Sequence, residues 1–285
     1  MKSNPDFVAV DFEYATREKG TICSVAIVSF KDGEIIDKFN SLVQPPKNEY
    51  ELRNTFVHNI HSRLTENAPS FVEIFPEIYK RLNNNTVVAH GAFHTDKVCL
   101  EQAIILNNIE ASLNIKWECT QKICECGLAV ACKACKIELS HHEALSDAIG
   151  CGILYSKYLK SDLPFNELQR VKNEETTLNN NINYPSHLTG DVLKPDFEKA
   201  KNKTNPFYKK KVVISGFDKS DKERIAKELK DLGADVDSNV SNSTNFLITG
   251  DNVVGPVKLD KMQANILKGK DAQIISLLEF NELKK

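Results

Sequence analysis

The sequence predicts two α/β domains, a larger one with a mixed sheet flanked by helices and a smaller one with a parallel sheet. Three apolar strands open the chain, and the turn Lys31-Asp32-Gly33 between the second and third favours an antiparallel hairpin. From residue 206 onward, short apolar segments alternate with helical ones in the order βαββαβα, which favours parallel pairing. The 285 residues suffice for two such domains.

The larger domain is predicted at residues 1–160. Period-two apolar patterns predict strands at 7–15, 21–30, 34–43 and within 83–90. Helical periodicity predicts helices at 68–82, 95–108, 123–139 and 141–159. Thr95 is the expected N-cap of the second helix, and Ser140 with Glu143 would form a capping box at the start of the last.

A linker is predicted at 161–205, because this segment is rich in Asn, Lys, Thr and Pro and has little apolar periodicity. We expect it to be extended and partly disordered. The smaller domain follows at 206–285, with its first helix expected to begin at a capping box of Ser220 and Glu223 and to stop at Gly233.

Bulk composition limits the classes of function. The net charge of −2 is not the basic balance of a tight, nonspecific DNA binder, so contact with nucleic acid must be local or run through metal ions. No apolar run approaches the ~20 residues that span a bilayer. The first residues also lack a signal-peptide pattern. We therefore expect a soluble, cytoplasmic protein without a membrane partner.

Eight cysteines are present, and five of them lie between Cys119 and Cys135. Without a secretion signal, a disulfide framework is not expected. The spacing of Cys124, Cys126, Cys132 and Cys135 only weakly resembles a zinc-ligand pattern. Reduced structural thiols are the favoured interpretation, and zinc is the alternative.

Two acids stand at the end of the first predicted strand. Asp11 and Glu13 are two residues apart, so strand geometry points both side chains to one face. The strand before them is wholly apolar, and two buried like charges are costly unless a cation or a shared proton compensates them. The alternative is an exposed edge strand with solvated acids.

Histidines and acids recur at two later points. On a regular helix, His142 and Asp147 would lie about 140° apart, so they converge only if His142 lies in the loop before the helix or in an irregular first turn. His90 and His94 are separated by Gly91, which argues against a zinc site on one helix face. Asp96 would open a helix, where the macrodipole alone favours an acid.

Taken together, the motifs VAVDFEYA, VVAHGAFHTDKVCL and HHEALSDA resemble the DEDDh exonucleases, the superfamily of the proofreading epsilon subunit of bacterial DNA polymerase III. The resemblance covers roughly residues 6–160, with one extra residue ahead of Asp96. It implies an RNase H-like fold in which four carboxylates hold two Mg²⁺ or Mn²⁺ ions. The implied ligands and the base of the reaction are Asp11, Glu13, Asp96, Asp147 and His142.

The resemblance also implies a role for each of these residues. Asp11 would bridge the ions, Glu13 and Asp147 would bind the ion on the side of the nucleophile, and Asp96 would support the other ion. His142 would take the proton of the attacking water. The implied contacts with the substrate are Phe12, Tyr14, His90 and Ala92.

The smaller domain resembles a single BRCT domain through the segments VVISGF, LKDLGADVDSNVSNSTNFLITG and VKLDKMQA. Phosphate-binding members use a Ser or Thr beside a Gly after the first strand and a Lys from the second helix. Ser215, Gly216 and Lys261 match those positions, with Lys258 as a second candidate for the lysine. The alternative is that Ser215 caps a turn and Lys261 is a solvated surface residue.

The favoured function is a metal-dependent 3′–5′ exonuclease acting at DNA 3′ ends, most of all single-stranded ones. The BRCT-like domain would bind a 5′-phosphorylated DNA end or a replication or repair protein. Two alternatives stay open: a catalytically degenerate exonuclease fold that serves as a DNA-binding scaffold, and an exoribonuclease that trims RNA 3′ ends.

Overall fold

The chain folds into two units, which divide between Leu178 and Asn179. The computed structural model describes residues 4–181, 188, 190–250 and 254–284. In these ranges the strands are β1 Phe7–Tyr14, β2 Ile22–Lys31, β3 Glu34–Leu42, β4 Thr86–Ala89, β5 Lys116–Cys119, β6 Lys211–Ser215, β7 Asp235–Asp237, β8 Phe246–Thr249 and β9 Gln273–Ser276.

Helices alternate with these strands. They are α1 Leu52–His58, α2 Ser62–Thr65, α3 Phe71–Leu82, α4 Asp96–Leu106, α5 Thr120–Cys124, α6 Leu128–Ala134, α7 Ala144–Leu159, α8 Phe165–Asn181, α9 Lys219–Asp231, α10 Pro256–Leu267 and α11 Leu277–Leu283. Short 3-10 turns occur at Pro46–Asn48, Gly190–Leu193 and Phe197–Lys199. Within the described ranges, none of these helices is both long enough and apolar enough to cross a lipid bilayer.

The sheet of the first unit is mixed, with the strand order β3-β2-β1-β4-β5. Strand β1 pairs antiparallel with β2 and parallel with β4, and β5 continues the parallel side. The second unit has the order β7-β6-β8-β9, and all of its pairings are parallel. The predicted fold class is therefore confirmed, including the antiparallel start and the parallel smaller sheet.

Strand β1 lies between two apolar cores because its side chains alternate between the faces of the sheet. Val8, Val10 and Phe12 face one core, which α3 and α4 complete. Phe7 and Ala9 face the other core, which is completed chiefly by α7. Both faces of the strand are thus covered, and an acid placed on either face is removed from water.

Helix α7 approaches the sheet closely at Gly152. A β-carbon built on Gly152 would lie only 2.1 Å from Cε2 of Phe30, whose ring is fully buried and stacks on Phe7 at 4.9 Å. Only a glycine leaves room for this ring. The contact fixes the height of α7 above the sheet, and α7 also carries Asp147.

Two of the predicted capping boxes are wrong. The N-cap of helix α9 lies two residues earlier than expected, because the side chain of Asp218 accepts the N–H of Asp221. The Ser220 hydroxyl donates to Asp218 instead of capping the helix itself. Helix α7 begins at Ala144, and the N–H of Ser140 is taken by the Ser146 hydroxyl at 2.8 Å.

The predicted continuous helix at 123–139 is also wrong. Glu125 adopts a left-handed conformation with φ 54°, which ends α5, and Gly127 then precedes the separate helix α6. Helices α1 and α2 and strand β5 were not predicted, because elements of four to seven residues carry too little periodicity to be recognised.

The predicted linker at 161–205 contains a long helix and buried apolar residues, which an extended linker would not have. Residues 165–181 form α8, and Leu168 and Val171 on this helix are buried in the core of the first unit. Leu188 is likewise buried in the core of the second unit. The sequence prediction missed α8 because its few apolar residues stand among many polar ones. The remainder of the prediction, at 182–187 and 189, lies outside the described residues.

We expect Gly152→Ala to lower the free energy of unfolding by about 1–3 kcal/mol, because the new methyl group collides with the buried Phe30 ring. Urea denaturation followed by circular dichroism would measure the loss. Gly127→Ala is the matched control, because no atom lies within 4 Å of its β-carbon position and its φ is −69°. Equal stability of the two variants would contradict the close packing of α7 on β2.

Candidate active site

Three carboxylates converge where β1 ends beneath α7. Asp11 and Glu13 extend from β1 on the face that carries Phe7 and Ala9, and Asp147 extends from the first turn of α7 toward them. Each contributes a ligand oxygen, and these oxygens lie within 4.8 Å of one another. Glu13 and Asp147 are buried. The solvated edge strand considered from the sequence is therefore wrong.

Asp96 joins the group from the other side of β1. It is the first residue of α4 and only 2% exposed. Its Oδ1 accepts the backbone N–H of Phe12 at 3.3 Å. Phe12 lies past the part of β1 that pairs with the shorter strand β4. Asp96 is not among the three carboxylates whose oxygens lie within 4.8 Å.

The residue before Asp96 has a non-helical backbone conformation. Thr95 is the N-cap of α4, as predicted, but its φ of −125° and ψ of −80° are not helical and its side chain makes no capping hydrogen bond. Lys19 closes the loop from outside by donating to the carbonyl of His94. In this conformation, the loop between β4 and α4 brings the Asp96 carboxylate to the backbone of β1.

Burial and mutual repulsion both oppose ionisation of these acids. Burial, followed by the charges of Asp96, Glu13 and Asp147, raises the pKa of Asp11 well above its usual range. Burial and the charges of Asp147 and Asp96 raise the pKa of Glu13 to about 8. Burial raises the pKa of Asp96 to about 7, although its bond to Phe12 and the charge of Lys19 act in the opposite direction.

This donor set fits a hard divalent cation. Oxygen-only ligands suit Mg²⁺ or Mn²⁺, and a cation among the carboxylates would remove the repulsion that raises their pKa values. The need for such compensation at Asp11 and Glu13 already follows from their positions on an apolar strand. The structure adds Asp147 to the same group.

His142 lies in the loop before α7, which is the condition under which it and Asp147 can meet. Its φ is +68°, and its backbone N–H donates to Oδ2 of Asp147 at 3.0 Å. Burial and the neighbouring His141 lower the pKa of the His142 ring, so the ring is mainly neutral at pH 7. No hydrogen bond to this ring is found among the described residues.

His141 was not singled out from the sequence, yet it contacts the site directly. Its Nδ1 lies 3.1 Å from Oδ2 of Asp147, and its ring stacks on that of His142 with a centroid distance of 3.9 Å. The hydrogen bond to Asp147 raises the pKa of His141. Nothing in the spacing distinguished it from its neighbour, because adjacent histidines look alike until the loop conformation is known.

A cavity of about 320 Å³ opens beside the two histidines. Its walls include Ser24 and Asn40 of the sheet, His58 at the end of α1, and the loop of His141 and His142. The volume falls in the range of small-molecule sites.

His58 holds the wall of this cavity in place. Its Nδ1 accepts the N–H of Ile60 at 3.0 Å, so Nε2 carries the proton and donates to the carbonyl of Tyr14 at 3.3 Å. Burial lowers the pKa of His58 to about 4, and the ring stays neutral at pH 7.

The side chains of the four predicted substrate contacts differ in how far they are exposed to solvent. The side chains of Phe12 and Ala92 are buried in the core, so contact through those side chains does not fit. Tyr14 remains partly exposed, and burial is the main reason that its pKa is raised. Phe93, which was not predicted, is 37% exposed with the Lys122 ammonium 4.2 Å above its ring.

The ring of His90 is engaged within the protein at both nitrogens. Nε2 donates to the carbonyl of Cys126 at 3.0 Å, which leaves Nδ1 to accept from the Thr120 hydroxyl at 3.0 Å. Burial lowers the pKa of His90 to about 4, which agrees with this neutral tautomer. Contact with a substrate would have to use the ring face, and zinc binding with His94 is not supported.

The cysteines between residues 119 and 135 are all free thiols. Among the described residues, no three or more of them form a group whose sulfurs lie within the spacing of a metal site. Burial raises the pKa of Cys124 and of Cys132 to about 12, which disfavours the thiolate that zinc requires. The favoured interpretation as reduced structural thiols fits this geometry.

The second unit places Ser215 and Gly216 at the end of β6. Ser215 is 5% exposed, and its hydroxyl oxygen accepts the N–H of Gly255 at 3.3 Å. Gly216 has a φ of +80°, which a glycine adopts without strain. A β-carbon built on Gly255 would lie 4.0 Å from Oγ of Ser215 and 3.9 Å from Cδ of Lys258. Lys258 therefore lies beside Ser215, at the start of α10.

Lys222 is a further basic residue near this point, although no motif in the sequence singles it out. Burial, followed by the charge of Lys222, lowers the pKa of Lys258, while burial lowers that of Lys222. No ion pair of either ammonium group is found within 190–250 and 254–284. Lys261, the first candidate for the phosphate lysine, is exposed on α10.

Known families match both units of the chain. The profile of the exonuclease family RNase_T matches residues 8–154, more than half of the chain. The profile of the BRCA1 C Terminus (BRCT) domain matches residues 202–275. These matches cover the carboxylate site and the Ser215 region respectively.

Curated relatives match parts of the chain. The DNA polymerase III PolC-type of Bacillus cereus is 29% identical over 151 residues, or 49% of this chain and 10% of that protein. That of Thermotoga petrophila is 32% identical over 91 residues, or 31% of this chain and 7% of that protein. The DNA ligase of Christiangramia forsetii is 36% identical over 86 residues, or 29% of this chain and 13% of that protein. The chain thus spans about a tenth of the length of these relatives.

Solved structures with a similar fold include exonuclease X in complex with 5′-overhanging duplex DNA, at 18% identity and a TM-score of 0.44, covering 58% of this chain and 98% of that one. A full-length 3′-exonuclease is similar at 17% identity and a TM-score of 0.46, covering 57% and 63%. The expected relationship to exonucleases and BRCT domains is confirmed by the two profiles. The chain belongs to the RNase_T exonuclease family and carries a BRCT domain in its C-terminal part.

Proposed function

We propose that the first unit is a DEDDh-type 3′–5′ exonuclease that hydrolyses phosphodiester bonds at DNA 3′ ends. The observation that carries the proposal is the group of Asp11, Glu13 and Asp147, buried or half-buried carboxylates whose oxygens lie within 4.8 Å. Such a group is costly without a cation, and family membership supplies the reaction class.

Asp11, Glu13, Asp96 and Asp147 would hold two Mg²⁺ or Mn²⁺ ions. When bound, such ions activate water and stabilise the charge that develops on the scissile phosphate. The bond from Phe12 N–H holds Asp96 at the edge of the group, and the bond from His142 N–H holds Asp147. Both carboxylates are thus oriented by the backbone before any ion arrives.

His142 would accept the proton of the attacking water. Its ring has the lowered pKa of a neutral imidazole, and the loop conformation places it beside Asp147. The adjoining cavity of about 320 Å³ would receive the terminal nucleotide. Phe93 with Lys122 would offer a stacking surface to a further base.

DNA is the proposed substrate because the matched relatives are DNA polymerases and a DNA ligase. In the second unit, Ser215, Gly216 and Lys258 would bind the 5′-phosphate of a DNA end, with Lys222 as a fourth contributor. An exposed hydroxyl is not required, because the Gly216 backbone and two ammonium groups suffice to cradle a phosphate. Lys261 would then contribute only from the periphery.

Asp11→Asn should reduce cleavage by at least about a thousandfold, because it removes the central anionic ligand while leaving side-chain volume unchanged. The assay would follow shortening of 5′-labelled single-stranded DNA, duplex DNA and RNA by EDTA-stripped protein after Mg²⁺ or Mn²⁺ is restored. Asp162→Asn, which changes an exposed carboxylate, should retain activity. Absence of cleavage by the unmodified chain with both metals would favour the scaffold alternative, and preference for RNA would favour the exoribonuclease.

Stability of the metal-free protein should fall as pH rises through about 7 and 8. Because the pKa values of Asp96 and Glu13 are raised, the folded protein holds protons that the unfolded protein releases near pH 4. The stabilisation that these protons give to the folded state is complete below pH 4 and is lost above pH 8. Asp96→Asn should retain at least about 1 kcal/mol more stability at pH 8.5 than the unmodified chain, measured by urea denaturation.

Metal should reverse this loss, and Mn²⁺ should raise the melting temperature more at pH 8.5 than at pH 6, where protons compete for the carboxylates. Glu101→Gln on the exposed face of α4 is the control and should follow the unmodified chain. A stability profile unchanged by Asp96→Asn, or a metal effect independent of pH, would contradict the electrostatics proposed for the site.

Lys258→Ala should weaken binding of 5′-phosphorylated duplex ends by about tenfold, because it removes a charge-assisted hydrogen bond to the phosphate. Binding of the unphosphorylated duplex should change far less. Fluorescence anisotropy at fixed salt would measure both, with Lys261→Ala as the matched substitution on the same helix. Equal loss on both duplexes, or a larger effect of Lys261→Ala, would refute the assignment of Lys258.

A further inference from the structure

A second set of metal-binding atoms overlaps the carboxylate site. His141, His142 and Asp147 each present a ligand atom, and these atoms lie within 4.8 Å of one another. His141 Nδ1 and Oδ2 of Asp147 are already 3.1 Å apart. That separation is close to the ligand-to-ligand distance around a tetrahedral ion with bonds of about 2.0–2.2 Å.

The chemistry of this set differs from that of its neighbour. Two imidazole nitrogens with one carboxylate oxygen suit Zn²⁺, whereas the oxygens of Asp11, Glu13 and Asp147 suit Mg²⁺ or Mn²⁺. Both histidines are exposed, so an ion reaches them from solvent and water completes its coordination. The His142 ring stacks on His141 without a hydrogen bond among the described residues, so it can turn toward a shared ion.

We propose that His141, His142 and Asp147 form a zinc site that shares Asp147 with the Mg²⁺ or Mn²⁺ site and inhibits it. Zn²⁺ there would occupy the imidazole nitrogen of His142 and one oxygen of Asp147. The ring would then have no lone pair for the proton of water, and Asp147 would be drawn away from Asp11 and Glu13. The binding stands on the donor atoms alone, while the inhibitory effect rests on the proposed exonuclease function.

Binding is tested on the reduced, EDTA-stripped full chain with Zn²⁺ alone, by competition with a chromophoric chelator. We expect one Zn²⁺ per chain and at least about tenfold weaker binding by His141→Ala, since even supporting contacts at metal sites are worth that much. His61→Ala, at an exposed histidine in the same unit, should bind as the unmodified chain does. Unchanged affinity in His141→Ala would overturn the site.

Cobalt substitution separates this site from the cysteines. Co²⁺ held by imidazole and carboxylate gives weak visible bands, whereas thiolate ligands add an intense charge-transfer band in the near ultraviolet. We expect no such band, and no effect of the double substitution Cys126→Ser, Cys135→Ser. A thiolate band that the double substitution removes would place the ion on the cysteines and overturn the proposal.

Inhibition is tested in saturating Mg²⁺ with increasing Zn²⁺, each variant being compared with its own zinc-free rate. Half-inhibition of His141→Ala should need at least about tenfold more Zn²⁺ than that of the unmodified chain. Zinc binding without inhibition of an active enzyme would refute the regulatory part. If the unmodified chain does not cleave at all, the exonuclease proposal fails, and the chelator and cobalt measurements still decide the zinc site.

Discussion

The alternation of side chains along β1 is the constraint on which the rest of the first unit depends. Because apolar layers cover both faces of this strand, each residue from Phe7 to Glu13 is assigned to one core or the other. Asp11 and Glu13 take the face toward α7 and meet Asp147 there. A slip of one residue would send both acids to the opposite core, away from their partner.

The same covering layers exclude water from the carboxylates and thereby raise their pKa values. Burial and mutual repulsion favour the protonated forms of Asp11, Glu13 and Asp96, while backbone N–H groups hold Asp96 and Asp147 in place. A fixed cation would have neutralised the group permanently. Carboxylates whose charge is only partly compensated by hydrogen bonds instead retain affinity for exchangeable ions.

Much of this arrangement was predictable because strand periodicity is local. Residue spacing predicts that Asp11 and Glu13 share one face of β1, and it predicts most of the order of the elements. It also predicts that His142 must lie outside the regular helix to meet Asp147. The hydrogen bond of His141 to Asp147, the nearness of Lys222 to Lys258 and the position of Lys258 beside Ser215 depend on loop conformation and on how helices approach a sheet. Helix α8 was missed because Leu168 and Val171 are few among polar residues, although they are enough to bury one face.

The bond between Asp96 and the Phe12 N–H has a wider consequence. The carboxylate is positioned by a donor on a neighbouring strand, so the number of residues in the preceding loop is not what determines its location. The residues between β4 and α4 can therefore differ in number while the acid still reaches this donor, as long as the loop can close. A search by fixed spacing would discard such sequences, whereas a search for an acid able to reach the open edge of the first strand would keep them.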